Sequence, residues 1–141
     1  MKSLTILNEV AEMVALEPFV DELGEEYDLD MALTFQLKLA LDEAVSNVVN
    51  YAYGDQKGLP ITLDAEIVET ADGRDLQIVI TDQGFPFDPL AEAPEVDTTL
   101  GAEEREIGGL GIFLIRQMMD DVKYRRDDDK NVFTMTKHIT A

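Results

Sequence analysis

In LKLALDEAVSNVVNYAY, Leu37 to Tyr53, and the turn before it, apolar residues recur at Leu33, Leu37, Leu41, Ala44, Val48 and Ala52. That three-to-four-residue spacing predicts a helix. At ~100° per residue the six positions share one broad face. Gln36, Glu43, Asn47 and Asn50 project beside it, within a sector of roughly 60°. Two readings fit this second stripe. It is either the solvated edge of an ordinary amphipathic helix, or a carboxylate and a carboxamide at i and i+4 that meet one small ligand.

Outward from this helix the chain divides readily. Ser3 to Leu7 is β-prone, and Asn8 is placed to cap a helix over Glu9 to Tyr27, which Pro18 bends or splits. Asp30 is the expected N-cap of the central helix, which stops by Gly54. Leu59 to Glu69 alternates, with Ile61, Leu63, Ala65 and Ile67 on one side, and reads as a strand with one buried face. Asp72-Gly73 marks a hairpin into Leu76 to Thr81, apolar enough to be central in a sheet. Leu90 to Ile107 has weak periodicity and reads as a long loop with at most one helical turn, a kind of segment more often functional than idle. Gly108-Gly109-Leu110-Gly111 then enters a helix that buries Ile112, Ile115, Met118 and Met119. Two closing strands, Val122 to Arg126 and Asn131 to His138, flank an acidic turn. Strands joined by short turns pair antiparallel, and helices on one face of such a sheet make a two-layer α+β sandwich, here as one domain over residues 1–141.

Composition narrows the chemistry. The 141 residues are 45% hydrophobic, with no cysteine and one histidine, His138, read as a strand-end surface residue. Disulfides, thiolate metal sites, cysteine nucleophiles and His-based triads are therefore not expected. Thirty acidic against eleven basic residues give a formal charge of −19. That disfavours nucleic acid and anionic membranes as partners; it suits either plain solubility or attraction to a basic protein. The opening MKSLTILNEVAEM lacks a signal-peptide core and cleavage site, and no apolar run nears the roughly 20 residues that span a bilayer, so the expected location is the cytoplasm.

Three stretches can carry chemistry. In Glu43-Ala-Val-Ser-Asn47, the Asn oxygen suits a hard cation such as Mg²⁺, and a Glu one turn earlier can take a proton from a nucleophile. In Asp82-Gln-Gly84-Phe-Pro-Phe-Asp88, a carboxylate at a strand end can accept from an exocyclic amine, and Gly84 allows close backbone approach or a positive φ; a plain loop of turn residues reads the same way. Glycines 108, 109 and 111 before a helix can crowd N–H groups around phosphate, or can be a flexible helix entry. This is neither a Walker A motif nor a Rossmann fingerprint.

In order and spacing the three resemble the N, G1 and G2 boxes of the GHKL ATPases, which include gyrase, heat-shock chaperone, histidine kinase and mismatch-repair ATPases. EAVSN, NYAYG, DQGFPFDP and GGLGIFLIRQMMDDV look most like the bacterial anti-sigma-factor serine/threonine-protein kinases. The resemblance implies the GHKL (Bergerat) fold, with a mixed, mainly antiparallel sheet and helices on one face. It implies Glu43 as general base, Asn47 as Mg²⁺ ligand, Asp82 as the adenine-binding carboxylate with Gly84 against the base, and Gly108, Gly109, Leu110 and Gly111 as the phosphate turn. Residues 90–107 become the ATP lid, with Arg105 reaching the phosphates from it, and Thr134 supports the adenine side. It further implies a homodimer that phosphorylates an anti-anti-sigma antagonist and sequesters a sigma factor. Asn50 stands where many relatives carry His, and Pro86 replaces a glycine of the wider pattern. A nucleotide-gated binding module without kinase activity, or a detached histidine-kinase catalytic domain, would use the same boxes.

Overall fold

A computed structural model describes residues 1–53, 56–92 and 109–140. Its described strands form a five-stranded sheet in the order β1-β2-β3-β5-β4. These are β1 (Lys2–Leu7), β2 (Pro60–Thr70), β3 (Gly73–Asp82), β4 (Asp121–Asp127) and β5 (Lys130–Thr140). All four described pairings are antiparallel, so the expected two-layer α+β architecture holds with β3 at the sheet's centre, and the described sheet is antiparallel throughout rather than mixed. The helices are α1 (Leu16–Glu26), α2 (Met31–Asn47), the short α3 (Pro89–Glu92) and α4 (Gly109–Met118).

Alternation settles which face the helices cover. Ile61, Leu63 and Ala65 of β2, Leu76, Ile78 and Ile80 of β3, and Phe133 and Met135 of β5 are buried in one cluster with Leu16, Val20 and Leu23 of α1, Leu37, Leu41 and Val45 of α2, and Ile112 and Ile115 of α4. Five of the six apolar positions predicted for the central helix are buried, and Leu33 packs partly buried at the core's edge. Each side chain of this size contributes about 1.5–3 kcal/mol when fully buried.

Local chemistry sets the helix ends. Asp30 accepts from the backbone N–H of Leu33 at 2.7 Å, the expected N-cap, worth ~1 kcal/mol. Pro18 sits in the first turn of α1, where no intrahelical partner is needed for its missing N–H, so it starts the helix and does not bend it. A separate 3₁₀ segment, Val10–Ala15, precedes it. The expected cap at Asn8 is not made. Asn8 is fully buried and latches the approach to β2, donating to the Gln56 carbonyl at 2.6 Å and accepting from the Leu59 N–H at 2.7 Å. His138 lies near the end of β5 as expected, with a side chain 32% exposed and Nδ1 2.7 Å from Asp75.

The central helix does not run unbroken to Tyr53. After Asn47 it widens into a π-helical segment, Val48–Ala52, and the N–H of Val48 is shared between the carbonyls of Ala44 and Val45. At the end of this segment the Ala52 carbonyl, a helix C-terminal acceptor with no intrahelical partner, accepts from the N–H of Phe85 at 2.7 Å. Tyr53, fully buried next in sequence, donates to the Pro60 carbonyl at 2.6 Å and accepts from the Gln83 N–H at 2.8 Å. Two bonds thus pin the loop after β3 to the end of the central helix. No described helix is long and apolar enough to cross a membrane.

Tyr53→Phe keeps the ring and strands both partners in a dry site. The expected loss is about 1–3 kcal/mol of stability, read as a shift of the urea midpoint with unchanged slope.

Candidate functional site

The sheet register builds the floor of a cleft. Ile61, Asp82, Asn131 and Arg126 are successive cross-strand neighbours on β2, β3, β5 and β4, with Ile80, Phe133 and Tyr124 in the next such row. Helix α2 roofs this end with Ala44 and Asn47, and the π segment adds Val48. Between roof and floor is a small, largely apolar cleft, also lined by Phe87 and Pro89. Phe87 stacks on Tyr51 of the π segment with ring centroids 5.3 Å apart.

Two polar side chains from the predicted set meet here. Asn47 is 6% exposed, and its carboxamide has no hydrogen-bond partner among the described residues. A buried amide without a partner costs about 1–3 kcal/mol, which a ligand at this position would return. Asp82 is 3% exposed. Its Oδ1 accepts from the Gly84 N–H and from Asn131 Nδ2, both at 2.9 Å, while Oδ2 has no partner among the described residues. Burial pushes the Asp82 carboxyl above its ordinary value of 3.8, and the bonds from Asn131 and Gly84 and the charge of Arg126 oppose that rise.

Glu43 is half-buried, one turn before Asn47, and faces the first turn of α4. A Cβ added at Gly111 would lie 2.5 Å from Glu43 Oε2, so the glycine makes room for the carboxylate. A carboxylate by a helix N-terminus is favoured there by the aligned peptide dipoles. The rest of the predicted polar stripe is graded by depth: Asn50 is exposed, within 3.4 Å of Ser46 Oγ, and Gln36 is half-buried away from the cleft lining.

Of the two uses expected of Gly84, the structure shows close approach and not a positive φ. A Cβ there would collide with the Ala52 carbonyl. The close approach is to protein backbone, at the π segment. Thr134 is also corrected. It pairs with Val79 and Lys123, in the row on the uncovered side of the sheet, away from Asp82. The supporting position beside Asp82 belongs to Asn131, which sequence reasoning missed. Arg105 and Gly108, and most of the predicted lid, lie outside the described residues; of Gly109 and Leu110 the backbone is described, in the first turn of α4.

Comparison with known proteins follows this geometry. The pattern of the histidine kinase-like ATPase domain matches residues 6–137, and the chain belongs to that family. Its sequence relatives are bacterial serine- or serine/threonine-protein kinases. It is 38% identical over 106 residues to the serine-protein kinase RsbW of Listeria monocytogenes, covering 73% of this chain and 64% of that protein. It is 35% identical over 124 residues to RsbW of Halalkalibacterium halodurans, covering 84% and 68%. The serine/threonine-protein kinase BtrW of Bordetella bronchiseptica is 33% identical over 107 residues, covering 75% and 71%. The chain thus spans just under two thirds of the Listeria relative's length. In fold it is similar to the crystal structure of the RsbU and RsbW domains of Rv1364c from Mycobacterium tuberculosis, with a TM-score of 0.67 at 12% identity, over all of this chain and 33% of that one.

The raised Asp82 carboxyl gives a stability prediction. A carboxyl whose pKa is higher in the fold than in the unfolded chain favours folding when protonated. That contribution is full below the ordinary value of 3.8 and is lost as pH rises through the raised value. Near neutral pH the ionised carboxylate therefore works against the empty fold. Asp82→Asn, which can keep an oxygen facing Asn131, is expected to be at least as stable as wild type at pH 7 by urea denaturation. The difference should shrink toward acid pH. A variant clearly weaker than wild type at pH 7 would contradict this account.

Proposed function

We propose that this chain is one ATPase domain across residues 1–141 that binds MgATP and passes the γ-phosphoryl group to a serine or threonine of a small antagonist protein. The carrying observation is the meeting of two buried groups in one largely apolar cleft, a carboxamide without a partner and a carboxylate with one uncommitted oxygen among the described residues. Membership of the family and the kinase names of the relatives point the same way.

The residues fit the ligand. Asp82 Oδ2 offers an acceptor for an exocyclic amine, while Ile80, Val48, Phe87 and Phe133 supply apolar contact for a planar base. Asn47 offers a neutral hard oxygen of the kind Mg²⁺ takes alongside its waters and phosphate oxygens. Bound there, the ion would neutralise charge on the phosphate chain. Glu43, a turn earlier on α2 and beside the N-terminus of α4, would lie on the phosphate side and accept the proton of the attacking hydroxyl. Positioning and charge neutralisation then account for most of the rate, as phosphoryl transfer requires. The phosphate turn at glycines 108, 109 and 111, and Arg105 within a lid over 90–107, complete the site by resemblance to the family.

The wider reading follows that resemblance. The protein acts as a cytoplasmic homodimer, alternately sequestering a sigma factor and phosphorylating its anti-anti-sigma antagonist. Its charge of −19 suits a basic partner surface.

The decisive comparison is of wild type with Glu43→Gln. Calorimetry with MgATP should give affinities within about threefold of each other. Transfer of ³²P to a co-purifying antagonist should fall at least about 100-fold in the variant, the usual scale of a general base. ATP binding with no transfer by wild type would leave a nucleotide-gated binding module in place of the kinase. No binding at millimolar ATP would remove the nucleotide reading itself.

A further inference from the structure

We infer that Asn131 is the positioning residue for the base-reading carboxylate: it fixes which oxygen of Asp82 a nucleobase meets, and so sets preference for a 6-amino over a 6-oxo purine. This rests on the nucleotide reading above and adds a residue to it.

Asn131 is 3% exposed and, among the described residues, bonds to Asp82, Phe85, Phe87, Tyr124 and Arg126. Its two ends face opposite chemistries. Nδ2 donates to Asp82 Oδ1 at 2.9 Å and to the Phe85 carbonyl at 2.8 Å, both pure acceptors. Oδ1 accepts from the Phe87 N–H at 3.2 Å, the Tyr124 hydroxyl at 2.5 Å and Arg126 Nη1 at 3.2 Å. That arrangement leaves only one orientation of the carboxamide, since the other would set donors against donors. Arg126 Nη1 also holds the Gly84 carbonyl at 2.8 Å. One side chain therefore ties the end of β3, both sides of the loop at Phe85 and Phe87, and β4 into a single unit.

The consequence for Asp82 is an asymmetry between its oxygens. Oδ1 is saturated by Asn131 and the Gly84 N–H, which prevents the carboxylate from turning. Oδ2 is left as a pure acceptor in an apolar cleft. A 6-amino group presents a donor to it; a 6-oxo group presents a second acceptor and is repelled. A site built around one buried hydrogen-bonding partner discriminates strongly against the analogue that leaves it unpaired. If Asp82 took up a proton, it could offer an O–H to a 6-oxo group and the discrimination would fall.

The isosteric change Asn131→Asp tests this. It retains the acceptor for Tyr124, Phe87 and Arg126 and replaces the donor to Asp82 with a second carboxylate. Two carboxylates this close hold a proton between them, and that proton restores a donor. Among the described residues, Arg126 and Tyr124 are the other charged and titratable groups in direct contact with the Asn131 side chain. Calorimetric titrations with ATP and GTP at pH 8 and pH 6 are expected to show at least tenfold weaker ATP binding by the variant at pH 8. GTP binding should change little, so the ATP-over-GTP ratio falls, and ATP binding should partly recover at pH 6. Asn131→Ser, which removes the contacts without adding charge, should lose ATP preference without the pH recovery.

Equal proportional losses for ATP and GTP in either folded variant would mark a merely structural residue and overturn the inference, as would wild-type affinities. A reading without variants comes from wild type by NMR: the Asn131 carboxamide protons should exchange slowly and shift on adding ATP, and an unmoved signal under saturating ATP would count against it. Failure of wild type to bind ATP at all would sink the nucleotide reading and the role of Asn131 together.

Discussion

An ionisable carboxyl buried at the end of the central strand is the constraint around which this fold is arranged. Asp82 is 3% exposed in a largely apolar cleft, and taking a charge out of water costs several kcal/mol unless hydrogen bonds and charge replace the lost hydration. Each neighbour supplies part of that replacement. The Gly84 N–H and Asn131 Nδ2 bond one oxygen, and Arg126 adds positive potential. The compensation is incomplete, since the carboxyl still titrates above its ordinary value. An incompletely solvated acceptor is what a hydrogen-bond donor on a ligand can bind with gain, so a ligand held here would be recognised through that deficit.

The same economy shapes the helix over the cleft. At the end of the π segment the Ala52 carbonyl accepts from the Phe85 N–H, and the loop lies so close that only glycine fits at position 84. Tyr53 and Asn131 hold the same loop from the two sides. Recognition of a base would therefore depend less on any one contact than on a loop clamped between the sheet and the helix it faces.

Much of this was legible in the sequence where one periodicity governs a long run. The α2 face, the Asp30 cap, the β2 alternation and the central place of β3 all follow from spacing and capping chemistry. The π segment was not legible, because five residues of widened helix cannot be told from α-helix by the pattern of apolar positions. Asn131 was hidden for a related reason. It follows an acidic turn and looks solvated; its burial depends on the register of β5 against β3 and on a loop 44 residues earlier folding over it. Thr134 shows how sharp that dependence is. It is three residues further along the strand, an odd number, and so it faces the other side of the sheet. Glu43 and Asn47 were found as a pair by helical spacing, but their different depths required the packing of α4 at Gly111.

The position of β3 carries a kinetic consequence. Its backbone is bonded on both sides along its whole length, from Gly73 to Asp82, by β2 and β5. Amides in the middle of a sheet exchange with solvent only through the largest openings of a domain, whereas loops and helix ends open in small ones. The carboxylate end of the cleft thus belongs to the slowest-opening part of the molecule. A ligand could arrive and leave many times while that end keeps its shape. Changes that tune its selectivity through β3 or β5 would be felt in the global stability of the protein, whereas those made at the helix side need not be.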